Sequence, residues 1–316
     1  MTENQLVDKR KNGKVNDWQG KKLGSLHYFN LLEELEYLKA KNVKVCADIL
    51  TFKETEEGLL KLKQAWFCKS RLCPLCNWRK SMKHSNQVIQ VVDKAMQEYP
   101  KGRFLFWTLT TKNVFDGVEL NEELSKMNRA FNLMMKYKKV EQNMLGYLKA
   151  TEVTVNKVDG SYNQHFHVLV FVRANYFDGK ENYISQEQLT EFWKKSLKID
   201  YTPIVNIKAV KPKKKTENIK GAVYETAKYP VKSVDYMTDD HKKNLKVVDD
   251  LEKGLKRKRL ISYGGLFKKI RNELKLTDVE ESDLLKLNST EDDEIEIGND
   301  IVAYWNWHRK NYFLKN

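Results

Sequence analysis

The chain has 316 residues, 41% of them hydrophobic, enough for one sizeable core or two smaller ones, which excludes a disordered polymer. No run of about 18 apolar residues exists to span a bilayer, and the polar start Met1-Thr2-Glu3-Asn4 lacks a signal peptide's apolar segment, so a cytoplasmic protein is expected. Lys and Arg outnumber Asp and Glu by 57 to 43, a net charge of +14 that suits a polyanionic partner, nucleic acid before anionic lipid.

Residues 5 to 25 read as a polar lead-in, followed by an amphipathic helix around His27 to Lys41 with Leu31, Leu32, Leu35 and Leu38 on one face. A cysteine-rich stretch, 46 to 76, runs into a long helix near Ser81 to Glu98, ended by Pro100 and Gly102. In a reducing compartment its four cysteines are thiols or metal ligands rather than disulfides. Cys46 with Cys68-x4-Cys73-x2-Cys76 supplies the four thiolates of a structural zinc site; scattered free thiols and an iron–sulfur cluster are the alternatives. Around this knuckle Arg71, Arg79 and Lys80, with Trp66 and Trp78, are candidates for phosphate contacts and base stacking, against a merely solvated charged face.

From Arg103 the pattern turns β-branched and aromatic through Thr108 and Thr110, as in a central strand. A helix at about Glu119 to Lys139 follows, then strands at about 145 to 156 and 164 to 172 around a turn-rich hairpin loop. His165 and His167 stand at alternate positions of the second strand and therefore share a face. Placing the turn between Asp159 and Gly160 sets Glu152 opposite His167, completing a two-imidazole, one-carboxylate site for Mg²⁺ or Mn²⁺; two hydrogen-bonded core histidines are the bland alternative.

Ser185 opens a capped helix, a strand covers Ile204 to Val210, and a helix is expected at about Thr216 to Tyr229. On it Glu225 and Tyr229 are four apart, hence neighbours, with Lys228 adjacent and Pro230 ending the helix. A tyrosine hydroxyl so placed can attack a phosphodiester, with Glu225 as base and Lys228 balancing charge, although the spacing alone more often marks a packing tyrosine. Lys211, Lys213, Lys214 and Lys215 just before it suit DNA phosphates. The segment 231 to 276 is basic and reads as helical, 277 to 300 as an acidic linker, and Ala303 to Trp307 as an aromatic anchor for the C-terminus.

The order β-α-β-β-α-β-α predicts an α+β fold with a largely antiparallel sheet flanked by helices. It divides as an N-terminal helical, cysteine-rich, zinc-knuckle-like region over 1 to 100, a catalytic domain over 101 to 236 and a helical C-terminal part over 237 to 316. Phe104 to Thr110, His165-Phe166-His167 and Glu225-Lys228-Tyr229, in this order, resemble the HUH endonucleases. Phe67 to Arg79, Tyr162 to Leu169, Ala227 to Pro230 and Ser262 to Phe267 resemble the rolling-circle plasmid replication initiators of Gram-positive bacteria, over about residues 45 to 310.

The resemblance implies an HUH-type sheet and a metal-dependent nick at the plasmid's double-strand origin, in a single-stranded or hairpin site. It also implies a 5′-phosphotyrosine on Tyr229, a 3′-OH primer for the host polymerase, Glu225 activating the terminating water, and His165, His167 and Glu152 as metal ligands. Host helicase and, as an assembly, a homodimer would be its partners. A relaxase or transposase of the same chemistry, or a non-enzymatic zinc DNA-binding regulator, are the competing functions.

Overall fold

The computed structural model describes residues 4–210, 237–280, 283–285, 287 and 296–315. They form two compact units. The first gathers the described residues of Met1–Asn86, Tyr236–Val248 and Thr277–Asn316, the second those of Gln87–Asp235 and Asp249–Leu276.

In the first unit α1 (Trp18–Glu34) begins well inside the expected lead-in, because the Asp17 carboxylate caps it by accepting from the Gly20 N–H at 2.8 Å. It stops where Glu36 turns left-handed (φ 59°), so Leu31 and Leu32 are buried while Leu38 is 96% exposed, off the apolar face the sequence suggests. α2 (Ala40–Lys44) precedes a hairpin absent from the sequence reading, β1 (Ile49–Thr55) and β2 (Leu60–Ala65). These strands join β8 (Glu296–Asn306) and β9 (Asn311–Leu314) in an antiparallel sheet of order β2-β1-β8-β9. The C-terminal aromatics thus dock as strands, with Trp305 and Tyr312 buried, and β8 starts inside the stretch expected to be linker. The acidic segment is not wholly solvated either: Val279 and Leu284 are buried.

α3 (Pro74–Glu98) starts seven residues before the expected Ser81, with Pro74 in the first turn, where a missing N–H costs nothing. In the second unit β3 (Arg103–Thr110), β4 (Met144–Val155), β5 (Tyr162–Val172), β6 (Val205–Ala209) and β7 (Ile261–Gly265) form a sheet of order β6-β3-β5-β4-β7, every pairing antiparallel. The expected α+β architecture is therefore present, with β7 as an added strand in a segment read as helical. Gly265 (φ 55°) ends that strand where an added Cβ would lie 2.4 Å from the Leu145 carbonyl oxygen, so only glycine lets β7 turn into α9 (Leu266–Glu273).

One sheet face carries Phe104, Leu148, Leu169 and Phe171, packed under Val88, Val91, Val92 and Ala95 of α3 and Phe267 and Ile270 of α9. Fully burying each such side chain stabilises by roughly 1.5–3 kcal/mol. The opposite face lies under α4 (Gly117–Met134) and α7 (Gln186–Leu197): Phe166 meets Phe131 and Trp193 at ring-centroid distances of 6.0 and 6.2 Å. α5 (Lys138–Glu141) and α6 (Gly179–Asn182) are short connectors, and α8 (His241–Gly254) precedes β7.

Candidate metal centres

Along the first face of the second sheet the apolar layer gives way, toward the N-terminal end of β5, to Thr108, Thr110, His165, His167 and Glu152. Alternation along β5 puts both imidazoles on this face, because Phe166 between them points the other way. The register differs from the expected one by two residues: Glu152 pairs with His165, and Ala150 with His167. The cause is the loop. Asn156 and Ser161 close it with an N–H···O bond of 2.8 Å, Gly160 takes a left-handed φ of 72°, and the turn centres between Val158 and Asp159. A slip of two preserves side-chain parity, so Glu152 still faces both histidines.

The donor atoms converge. Glu152 Oε2 lies 3.0 Å from His167 Nε2 and 3.5 Å from His165 Nε2, and the two Nε2 atoms are 3.1 Å apart. An ion with bonds of about 2.1 Å and right-angled ligands needs donors about 3.0 Å apart, so this triangle fits one face of an octahedral divalent cation. The second ring nitrogens are held too. His165 Nδ1 donates to the Asn163 carbonyl at 3.3 Å, which leaves the Nε2 lone pair facing the site, and Thr108 Oγ1 lies 3.4 Å from His167 Nδ1. Burial raises the Glu152 carboxyl, but hydrogen bonds from His165 and His167, with their electrostatic attraction, outweigh it and hold it well below the usual carboxylate range. The backbone carbonyl of Asn163 and the hydroxyl of Thr108 were not singled out as ligand supports in the sequence; an alternating threonine strand beside an alternating histidine strand was the available signal.

Residues 59–313 match the family profile described as "Rep_1: Replication protein". The chain belongs to this replication-protein family. It is 47% identical over 311 residues to "Protein rep" of Lactiplantibacillus plantarum, covering 97% of this chain and 98% of that one. It is 47% identical to "Protein rep" of Streptococcus pneumoniae over 98% of this chain and 96% of the relative. A "Replication protein" of Staphylococcus aureus is 54% identical over 237 residues, 74% of this chain and all of the relative. No solved structure matches. The resemblance to plasmid replication initiators is thereby borne out at the level of the family.

The replication protein has a second convergent set in its first unit. Cys46 follows α2, Cys68 follows β2, and Cys73 and Cys76 flank Pro74 at the start of α3. Their sulfurs lie 3.6 Å (Cys46–Cys76), 3.6 Å (Cys68–Cys76) and 3.8 Å (Cys46–Cys73) apart, and all four are within 4.8 Å of one another. Zinc–sulfur bonds of about 2.3 Å in a tetrahedron require edges of about 3.8 Å, so the set fits a single zinc ion. Lys69 (φ 57°) makes the turn after Cys68, whose N–H points at Cys46 Sγ (3.4 Å), and Ser25 Oγ lies 3.2 Å from Cys73 Sγ. Burial opposes charge on Cys73, yet hydrogen bonds from Cys46, Cys68, Cys76 and Ser25 hold its thiol well below the usual range, while the Cys46 and Cys76 thiols are pushed well above it, so the shared hydrogen bonds concentrate thiolate character on Cys73.

Two of the basic residues beside the knuckle, Arg79 and Lys80, are turned into the protein, although the sequence suggested phosphate contacts. Arg79 is 5% exposed and donates to the carbonyls of Leu284 (2.9 and 2.7 Å) and Leu285 (2.6 Å). Lys80 is 1% exposed, donating to the Lys69 carbonyl and lying 3.5 Å from Glu280. Both cations hold the acidic segment instead of facing solvent. Arg71 is half-buried, 3.6 Å from Glu280; Trp78 packs edge-on to Trp18 at 4.8 Å, and Trp66 is half exposed. Tyr229, Glu225 and Lys228, and Lys211, Lys213, Lys214 and Lys215, lie outside the described residues.

Proposed function

We propose that this replication protein initiates rolling-circle plasmid replication by nicking one strand at the origin and holding the 5′ end on Tyr229. The observation that carries the reading is the Glu152–His165–His167 donor triangle on one face of an antiparallel sheet, in a chain of the replication-protein family. A divalent cation there, Mg²⁺ or Mn²⁺, would polarise the scissile phosphate. The Tyr229 hydroxyl attacks phosphorus as the P–O3′ bond breaks, its proton relayed through a base to the departing 3′-oxygen, which leaves as the hydroxyl that primes the host polymerase. Lys228 and the run Lys211, Lys213, Lys214 and Lys215 balance phosphate charge on the cut strand, and host helicase opens the duplex ahead. Glu225 supplies the base that activates water in the last cleavage, so the enzyme is released without an adduct. The four cysteines hold a zinc ion that braces the first unit.

Incubation with supercoiled plasmid carrying its own origin tests the reading: nicked circles bearing covalent protein should form with Mn²⁺ or Mg²⁺ and fail to form with Tyr229→Phe. A covalent adduct persisting in Tyr229→Phe would move the nucleophile elsewhere. Nicked circles without any adduct would replace transesterification by hydrolysis.

A further inference from the structure

At the start of α4 the second unit carries a basic cleft that the nicking chemistry does not use. The Gly117 N–H donates to Asp250 Oδ1 at 2.9 Å, and the other oxygen of the same carboxylate accepts from Tyr162 Oη at 2.7 Å, locking the end of α8 against the first turn of α4. A Cβ on residue 117 would fall 2.5 Å from the Asp250 carbonyl oxygen, so the approach requires glycine. One turn on, the Asn121 amide lies 3.0 Å from each of the carbonyls of Lys253, Gly254 and Lys256. This caps the end of α8 and turns the chain sharply, with Arg257 in the left-handed region at φ 59°.

The result is an open cleft of about 490 Å³ in which Lys253, Lys256, Arg257 and Lys258 face a single lining carboxylate, Glu122. Asp249 pairs with Lys253 from outside the lining, at 2.5 Å. Lys256 and Arg257 are exposed and have no carboxylate partner among the described residues. Lys258 bonds Ser125, and both its burial and the neighbouring Arg129 charge push its ammonium down. Four cations around one lining carboxylate, with Lys256 and Arg257 exposed and unpaired among the described residues, are a site for phosphate groups. The cleft belongs to the helix layer on Phe166's side of the sheet, the face opposite His165 and His167. A phosphate held there is therefore not the scissile one.

We propose that this cleft, built by Lys253, Lys256 and Arg257 over the N-terminal turn of α4, grips the sugar-phosphate backbone of duplex DNA flanking the nicked strand. The proposal rests on the DNA-nicking reading for its ligand but is tested apart from it. The full-length protein and the variant Lys256→Gln, Arg257→Asn, in which asparagine tolerates the left-handed backbone, are titrated by anisotropy against duplex origin DNA and a single strand of equal length, over a salt series. Two lost phosphate contacts should flatten the log K against log salt slope by about 2, so the fall in duplex affinity between about 50 and 200 mM salt becomes roughly tenfold smaller. Glu122→Gln should tighten duplex binding. Nicking of a short single-stranded oligonucleotide, too small to reach the cleft, should be unchanged in both variants. Unchanged duplex affinity and slope in the double variant, with the wild-type melting temperature, overturn the proposal, as does a loss confined to the single strand. If the wild type fails to nick while the double variant loses duplex affinity, the nicking reading falls and the cleft stands.

Discussion

Cys73→Ala separates a metal centre from four thiols packed together. Cys73 is fully buried, and its sulfur touches Ser25 Oγ at 3.2 Å and Cys46 Sγ at 3.8 Å. Without an ion, alanine there removes one sulfur's packing and a weak hydrogen bond, a loss of about 1–2 kcal/mol. With zinc bound, the same change removes one of four ligands from a site whose apparent binding free energy is about 10–16 kcal/mol. That is as large as the roughly 5–15 kcal/mol by which a whole domain is usually stable. The two outcomes differ by far more than the error of a melting experiment. Elemental analysis should find about one zinc per wild-type chain and none in Cys73→Ala, and the first unit of the variant should lose its cooperative transition. A strong chelator should reproduce that loss in the wild type. Wild-type protein free of both zinc and iron, with Cys73→Ala costing no more than about 2 kcal/mol, would refute the metal centre.

Isothermal titration with Mn²⁺ should show binding to the wild type and none to the His165→Ala, His167→Ala variant; equal binding by both removes the catalytic ion from this face. Arg79→Ala should cost about 3 kcal/mol of stability by stripping the Leu284 and Leu285 carbonyls of their charged donor, while DNA affinity in the still-folded protein stays the same; a lost salt slope with unchanged stability would reverse that assignment. Burial pushes the Lys149 ammonium down to about 7, beneath the Phe166 and Phe131 rings at 4.2 and 5.0 Å. The shift corresponds to about 5 kcal/mol against the charged form, of which cation–π attraction returns about 2. Between about pH 7 and 10 the unfolded chain holds a proton the folded chain has shed, so stability rises with pH across that window, and below it the full penalty stands. Lys149→Met should therefore stabilise by about 3 kcal/mol near pH 6, a gain that fades toward pH 10 in urea titrations; a variant less stable near pH 6 would show that the rings outweigh burial.

The face of Glu152, His165 and His167 was legible because a strand's period of two leaves little freedom. His165 and His167 had to share a face, and an error of two residues in the hairpin register moved Glu152 from opposite His167 to opposite His165 without turning it away. A slip of one would have lost the ligand. β1 and β7 were illegible for the converse reason. In β1 only Leu50, Phe52 and Thr55 are buried, between charged residues such as Lys53 and Glu54, and β7 is five residues ending in two glycines. Neither carries enough alternation to outvote its surroundings; each is a strand because a neighbouring edge, β8 or β4, supplies hydrogen-bond partners from far along the chain.

Charge was the least legible property, because sequence reports the sign of a side chain and not where its head group ends. Arg79 and Lys80 sit in the most basic stretch near the cysteines, yet their partners, Leu284 and Glu280, arrive from some 200 residues downstream. Lys22, fully buried, is held by the carbonyls of Lys44 and Cys46 and by Asp48, and Lys149 lies under two rings. Such cations count toward +14 but project little field into solvent, since each is neutralised locally or enclosed in protein. The potential that DNA meets comes from exposed, unmatched cations. Among the described residues these include Lys256 and Arg257, which sequence alone made no more conspicuous than Arg79 and Lys80.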